Sequence, residues 1–238
     1  MKTALITGAS KGIGAKIAET LSYEGYNVII NYNQSQEDAI LLANKINGIA
    51  IKADVSKIDE VEKMILETIN KFSKIDVLVN NAGISLSGLF TDISSDAIAN
   101  LFNVNVMGTF NCTKAVLPHM INRKTGKIIN ISSMWGEVGA SCEVHYSASK
   151  AAIIGFTKAL AKEVGPSGIQ VNCISPGLIV TDMNKNLSSQ DLNSIKEETP
   201  LQCLGSTEDI ANATSFFCSE KSNFITGQVL GVNGGLII

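Results

Sequence analysis

Tyr146 and Lys150 lie four residues apart in the stretch Tyr146-Ser147-Ala148-Ser149-Lys150. On a helix that spacing puts both side chains on one face, one turn apart. An ammonium beside a phenol favours the phenolate, so the two can work as an acid–base pair. An unperturbed phenol titrates near ~10, and bringing it to neutrality takes about 3 units, roughly 4 kcal/mol. The same spacing also arises by accident on a solvated helix. Tyr23, Tyr26 and Tyr32 have no lysine four residues on. Deciding between the two readings falls to the rest of the chain.

A second group with chemical potential is Gly8-Ala9-Ser10-Lys11-Gly12-Ile13-Gly14. It follows a short apolar run and precedes a helical pattern. Glycines there let backbone approach a pyrophosphate, and a helix N-terminus presents free N–H groups and positive potential. The spacing is G-x-x-x-G-x-G, and a tight turn is the plain alternative. An NAD site usually ends its second strand in a carboxylate for the ribose 2′-hydroxyl. Here that place holds Asn31, followed by Tyr32 and Asn33, with no acid until Glu37. Lys11 projects towards the same region. A missing carboxylate and a nearby cation point to the 2′-phosphate of NADP; otherwise Lys11 is a solvated loop residue.

These residues need elements to position them. Apolar runs at 2–7, 28–31, 49–53, 76–80, 127–132, 169–174 and 228–232 alternate with helical patterns. Helices are expected to about Glu24, then over 37–46, 57–72, 94–120 and 145–164, with another opening at Thr207. The strands are continuous apolar runs, as parallel strands covered on both faces are. The pattern predicts an α/β fold: one Rossmann-type, doubly wound parallel sheet of about seven strands, helices on both faces, one domain over 1–238. Ligands of such sheets bind beyond the carboxyl ends of the strands. Asn80-Asn81-Ala82-Gly83 and Asp54 therefore belong to the cofactor rim, unless that Asn/Gly run is turn chemistry alone. The polar stretch 181–198 is the least patterned, and a substrate loop is expected near 181–205.

Composition narrows the function. With 45% apolar and 17% charged residues among 238, the chain can build a sizeable core. A net charge of −3 without a basic run argues against nucleic acid. No stretch reaches ~18 apolar residues, so no membrane span is expected. The N-terminal apolar run is too short for a signal peptide. Five scattered cysteines and two histidines lack ligand spacing, so the expectation is reduced thiols, a cytoplasmic location and no metal.

Taken together, Thr7-Gly8-x-x-x-Gly12-x-Gly14, Asn80-Asn81-Ala82-Gly83, Asn105, Ser133, Tyr146-x-x-x-Lys150 and Pro176-Gly177 resemble the short-chain dehydrogenase/reductase family over nearly the whole chain. Within it the chain looks most like the 3-oxoacyl-(acyl-carrier-protein) reductases, with Ile225-Thr226-Gly227-Gln228-Val229-Leu230 and Gly234-Gly235 in support. The resemblance implies that Tyr146 is the general acid of ketone reduction. Lys150 would lower its pKa and bond the nicotinamide ribose. Ser133 would hold the substrate carbonyl, and Asn105 would anchor a proton-relay water. Hydroxyl donors suit an oxygen on which negative charge grows. It also implies NADPH contacts from Gly8, Ser10, Lys11, Gly12, Ile13, Gly14, Asn31, Asp54, Val55, Asn81, Ala82, Gly83, Tyr146, Lys150, Pro176, Gly177, Ile179 and Thr181. A homotetramer is implied too. Ala151, Ala152, Gly155 and Ala159 permit close helix packing, within the chain or between chains.

The chain also departs from that group. Of two basic positions that meet the acidic carrier, one is Lys127 and the other is Ser167; an arginine expected after Pro200-Leu201-Gln202 is Cys203. Carrier recognition is therefore in doubt. The segment from Trp135 to Val144 is similar to reductases acting on the 5-aminopentanone modification of translation elongation factor P. It lies between Ser133 and Tyr146, so Met134, Trp135 and Glu143 are expected to border the substrate. Glu143 or Glu137 would favour a cationic amine over an anionic carrier arm. Competing readings are a dinucleotide sensor that has lost catalysis, against which the retained Tyr146 and Lys150 speak, and a sugar-alcohol or steroid dehydrogenase working oxidatively with NAD, against which Asn31 and Lys11 speak.

Overall fold

A computed structural model of the chain describes residues 1–181 and 188–238. Seven strands form one parallel sheet: β1 (Thr3–Ile6), β2 (Asn27–Tyr32), β3 (Ile49–Lys52), β4 (Val77–Asn80), β5 (Gly126–Ile131), β6 (Ile169–Pro176) and β7 (Val229–Val232). Their spatial order is β3-β2-β1-β4-β5-β6-β7. The chain builds outwards from β1 to β3, then returns to lay β4 against the other side of β1, with Ala4 opposite Val77. The switch of direction opens a crevice above the carboxyl ends of β1 and β4. It is there that both the glycine loop and Asn81–Gly83 emerge.

Successive strand residues point to opposite faces, and both faces are covered. Ala4, Ile6, Ile30 and Val79 pack against Ile17 and Leu21 of α1 (Gly12–Tyr23), Leu42 of α2 (Gln36–Ile46) and Ile210 of α9 (Thr207–Cys218). Leu5, Ile29, Leu78 and Ile128 pack against Met64 of α3 (Ile58–Phe72), Val116 of α5 (Gly108–Arg123) and Leu160 of α7 (Val144–Val164). Double coverage is why these strands read as unbroken apolar runs.

Three local structures differ from the sequence pattern. The helix expected over 94–120 is α4 (Ser95–Phe102), then a π-helical turn (Asn103–Met107), then α5. A four-residue helix, α6 (Trp135–Val138), follows β5. Helix α8 (Ser189–Glu198) occupies most of the stretch that looked patternless. Its start carries a capping box: Asp191 N–H donates to Ser188 Oγ at 3.1 Å, and Ser188 N–H donates to the Asp191 carboxylate at 3.0 Å. The expected substrate loop near 181–205 includes residues 182–187, which lie outside the described residues.

Candidate active site

The glycine loop is braced from β4. Thr7 Oγ1 accepts the N–H groups of Asn81 and Ala82, both at 3.0 Å. The Asn81 side chain returns bonds to the carbonyls of Thr7 and Gly8, at 2.9 and 3.1 Å. Gly8 and Gly12 hold φ of +59° and +58°, conformations that L side chains rarely adopt. A Cβ on Gly8 would lie 2.8 Å from Ala82 Cα, and one on Gly14 would lie 2.5 Å from Asn81 Nδ2. The loop thus folds tightly onto the β4 rim, with Gly12 facing Thr181. Lys11, the residue before α1, makes no side-chain cap hydrogen bond to its first turn. A glycine-built cradle opening on an uncapped helix N-terminus fits a pyrophosphate.

On the other side of the crevice, the π-helical turn swings Asn105 into the interior. Its Oδ1 accepts Ile84 N–H at 2.8 Å, and its Nδ2 donates to Ile84 O at 2.9 Å and to Ser149 Oγ at 3.1 Å. Wide turns of this kind recur at functional sites because they re-aim a side chain that a regular helix would point elsewhere. A Cβ on Gly83 would sit 3.3 Å from Asn105 Oδ1 and 3.5 Å from Lys150 Nζ. Gly83, Asn105 and Lys150 therefore meet at one place. Beneath them a buried polar ladder ties sheet to helices: Asn80 Nδ2 donates to Asn130 Oδ1 at 2.9 Å and to Thr113 Oγ1 at 3.0 Å, and Asn130 Nδ2 donates to Thr157 Oγ1 at 2.9 Å.

Helix α7 carries Tyr146 and Lys150 on one face, with Lys150 Nζ 5.6 Å from the centre of the Tyr146 ring. The ammonium donates to Ile131 O at 2.9 Å, at the end of β5. Burial pulls Lys150 down to about 8, against a smaller opposite effect of Cys173. Burial also pushes the Tyr146 phenol up to about 12; the Ser133 side chain acts the other way, and the Glu143 carboxylate adds to the rise. Burial outweighs the lowering expected from Lys150, which is not among the groups that shift the phenol here. Its cation is spent on a backbone carbonyl, and desolvation dominates.

Ser133 is held by its neighbours. Its Oγ accepts Trp135 N–H at 3.2 Å, its carbonyl accepts Gly136 N–H at 2.8 Å, and the next residue, Met134, donates its N–H to Pro176 O at 2.9 Å. Ser132 Oγ donates to Lys150 O at 2.8 Å and ties the end of β5 to α7. The Ser133 side chain acts on the Tyr146 phenol, which places the two hydroxyls on the same side of the crevice.

Other expected site residues fall differently. Asn31 is 1% exposed, and its amide is used up accepting Gly8 N–H at 3.2 Å and donating to Ala53 O at 2.9 Å. It braces the loop and offers no surface to a cofactor. Met134 is 2% exposed and offers none to a substrate. The Ile179 side chain is likewise buried. Val55 is buried against Gly108 at the start of α5, and Asp54 Oδ1 accepts both the N–H and the hydroxyl of Ser56. Ser10, Ile13, Gly177 and Trp135 are partly accessible, while Pro176 is buried. Glu143 is partly accessible, and burial raises its carboxyl. Lys127, read as one half of a carrier-binding patch, is turned inwards: its Nζ donates to Ser219 O at 2.6 Å and Ser222 Oγ at 2.9 Å.

The sequence reading left out Thr7, Ser132, Gly136 and Ser149 as supports of the site. Thr7 stood in view at the mouth of the glycine loop. The others have partners that are distant in sequence. Among the described residues no His/Cys/Asp/Glu cluster is arranged to hold a metal, and no helix is long and apolar enough to cross a membrane.

A family model described as enoyl-(acyl carrier protein) reductase matches residues 8–237. A 3-oxoacyl-(acyl-carrier-protein) reductase, FabG, of Staphylococcus epidermidis is 42% identical over 99% of this chain and 98% of its own length. The Bacillus subtilis protein called uncharacterized oxidoreductase YmfI is 43% identical over 98% of each chain. A 3-oxoacyl-(acyl-carrier-protein) reductase of Synechocystis is 41% identical over 100% of this chain and 97% of its own.

Proposed function

The chain belongs to the short-chain dehydrogenase/reductase family and is an oxidoreductase that acts at a CH–OH/C=O centre with a nicotinamide dinucleotide; from this we propose that it reduces a ketone with NADPH, with a 3-oxoacyl thioester as substrate. The observation that carries the reading is the Tyr146 ring with the buried Lys150 Nζ 5.6 Å from its centre, in a crevice where Asn105, Gly83 and Lys150 meet and where Ser133 acts on the phenol. Two O–H donors at one oxygen suit a carbonyl, where negative charge gathers during reduction.

The dinucleotide, when bound, supplies the hydride. The glycine loop and the N-terminus of α1 would hold its pyrophosphate, and Lys11 would pair with a 2′-phosphate. Ser133 orients the carbonyl, and Tyr146 hands its phenolic proton to the growing alkoxide. A phenol held at about 12 by burial is fully protonated at neutral pH, as a proton donor must be. Lys150 and Asn105 border the route by which that proton is replaced. The thioester assignment draws on the names of the staphylococcal and cyanobacterial relatives.

A second substrate reading rests on Glu143. Its partly buried carboxylate acts on the Tyr146 phenol, and a negative charge there favours a cationic amino-ketone such as the aminopentanone group of a modified protein. The five cysteines are free thiols, in keeping with the reducing cytosol. A groove of about 520 Å³ on α5 and α7, lined by Met107, Phe110, Leu117, Ile121 and Phe156, supports assembly into a homotetramer through those helices.

The test is NADPH oxidation with acetoacetyl thioesters, a simple ketone and an aminopentanone-bearing protein. Thioesters are expected to turn over fastest; Tyr146→Phe should lose about 10²-fold or more in turnover while still binding NADPH. Substantial activity in that variant removes the general-acid role. If the amino-ketone leads and Glu143→Gln slows it selectively, the second reading replaces the first.

A further inference from the structure

Lys11 and Asp38 close the outer end of the cofactor crevice against each other. Lys11 directly precedes α1, and Asp38 lies in the first turn of α2. Their charged ends are 3.0 Å apart, with the side chains 51% and 46% exposed. The end of β2 carries no carboxylate, yet the fold supplies one from Asp38, six residues after Tyr32. Loop 33–35 folds back so that the first turn of α2 stands beside the start of α1. A carboxylate therefore sits within reach of the cation that the NADPH reading depends on.

We propose that Asp38 is a specificity-determining residue that restrains the preference for NADPH over NADH. Its carboxylate holds the Lys11 ammonium at 3.0 Å. A ligand bringing that phosphate must take Lys11 from Asp38 and then lie beside a like charge. A ligand with a bare 2′-hydroxyl meets no repulsion and finds an acceptor in Asp38. Lys11 and Asp38 thus pull selectivity in opposite directions, and the observed preference is their difference. This inference rests on the cofactor reading above and refines it.

The test is direct titration of NADPH and of NADH into the wild type, Asp38→Asn, Asp38→Ser and Lys11→Ala, followed by calorimetry or by nicotinamide fluorescence. Both Asp38 variants should tighten NADPH by about threefold to tenfold and leave NADH unchanged or weaker. The gain should shrink as ionic strength rises. Lys11→Ala should loosen NADPH selectively. An NADPH affinity that is unchanged or weaker in both Asp38 variants overturns the inference. If the wild type itself shows no preference for NADPH and Lys11→Ala changes nothing, the underlying cofactor reading fails instead.

Discussion

Replacing Gly136 by alanine tests how the site is held. Gly136 lies in α6, three residues after Ser133, and its N–H donates to the Ser133 carbonyl at 2.8 Å. An added Cβ would lie 2.8 Å from the Lys150 carbonyl carbon, 2.9 Å from Lys150 Cβ and 3.0 Å from Ala151 N. None of those atoms can rotate away. Ordinary contact requires a retreat of roughly 0.6 Å. Helix α7 is pinned by Ser132 Oγ on Lys150 O, so α6 must yield, and Ser133 moves with it. Overpacking of this kind costs about 1–3 kcal/mol. For a chain of this size that lowers the melting temperature by about 2–12 °C. The shift also moves the Ser133 hydroxyl relative to the Tyr146 phenol. A displacement of ~1 Å costs about 10²-fold in rate, so a retreat of half that should lower kcat about tenfold. NADPH affinity should hold, because the glycine loop lies on the other side of the crevice. Thermal unfolding and steady-state ketone reduction measure both effects. A variant that melts and turns over like the wild type would refute the claim that α6 aligns Ser133 by resting on α7.

Thr7→Val removes the acceptor for Asn81 and Ala82 N–H; urea denaturation should show a loss of about 2–4 kcal/mol, together with weaker dinucleotide binding, and a change below about 0.5 kcal/mol would contradict the bracing role. Lys150→Met exposes a linkage. Lys150 is lowered to about 8 by burial, so between there and its ordinary value near ~10.5 the unfolded chain holds a proton that the native chain has lost. Wild-type stability relative to the variant should therefore rise with pH across that window, by up to about 1.4 kcal/mol per unit, and the variant should gain below it; a difference independent of pH would be inconsistent with the lowered ammonium. Ile121→Glu places a charge in the apolar groove on α5, and light scattering should show a smaller assembly with an unchanged circular dichroism spectrum; an unaltered mass would separate the groove from assembly.

Most strands and their carboxyl-end loops were legible from the chain, because burial on both faces leaves an unbroken apolar run. The glycine loop and the Tyr146–Lys150 spacing are local too, so their positions on the rim followed from strand order. Helix α8 was signalled by Ser188 and Asp191, whose capping-box spacing went unused under a polar composition. The π-helical turn could not be read: the pattern over 94–120 is helical throughout, and only the pull of Ile84 and Ser149 on Asn105 marks where the helix widens.

What the sequence determined by itself is the alternation of elements and which residue types reach the crevice, since both depend on neighbours along the chain. The tertiary structure decided their electrostatics. Lys150 spends its cation on Ile131 O, Asn31 is absorbed as a brace, Lys127 is turned inwards, and Asp38 arrives beside Lys11. Each outcome depends on a partner distant in sequence and on how much water the fold removes, and spacing along a chain encodes neither.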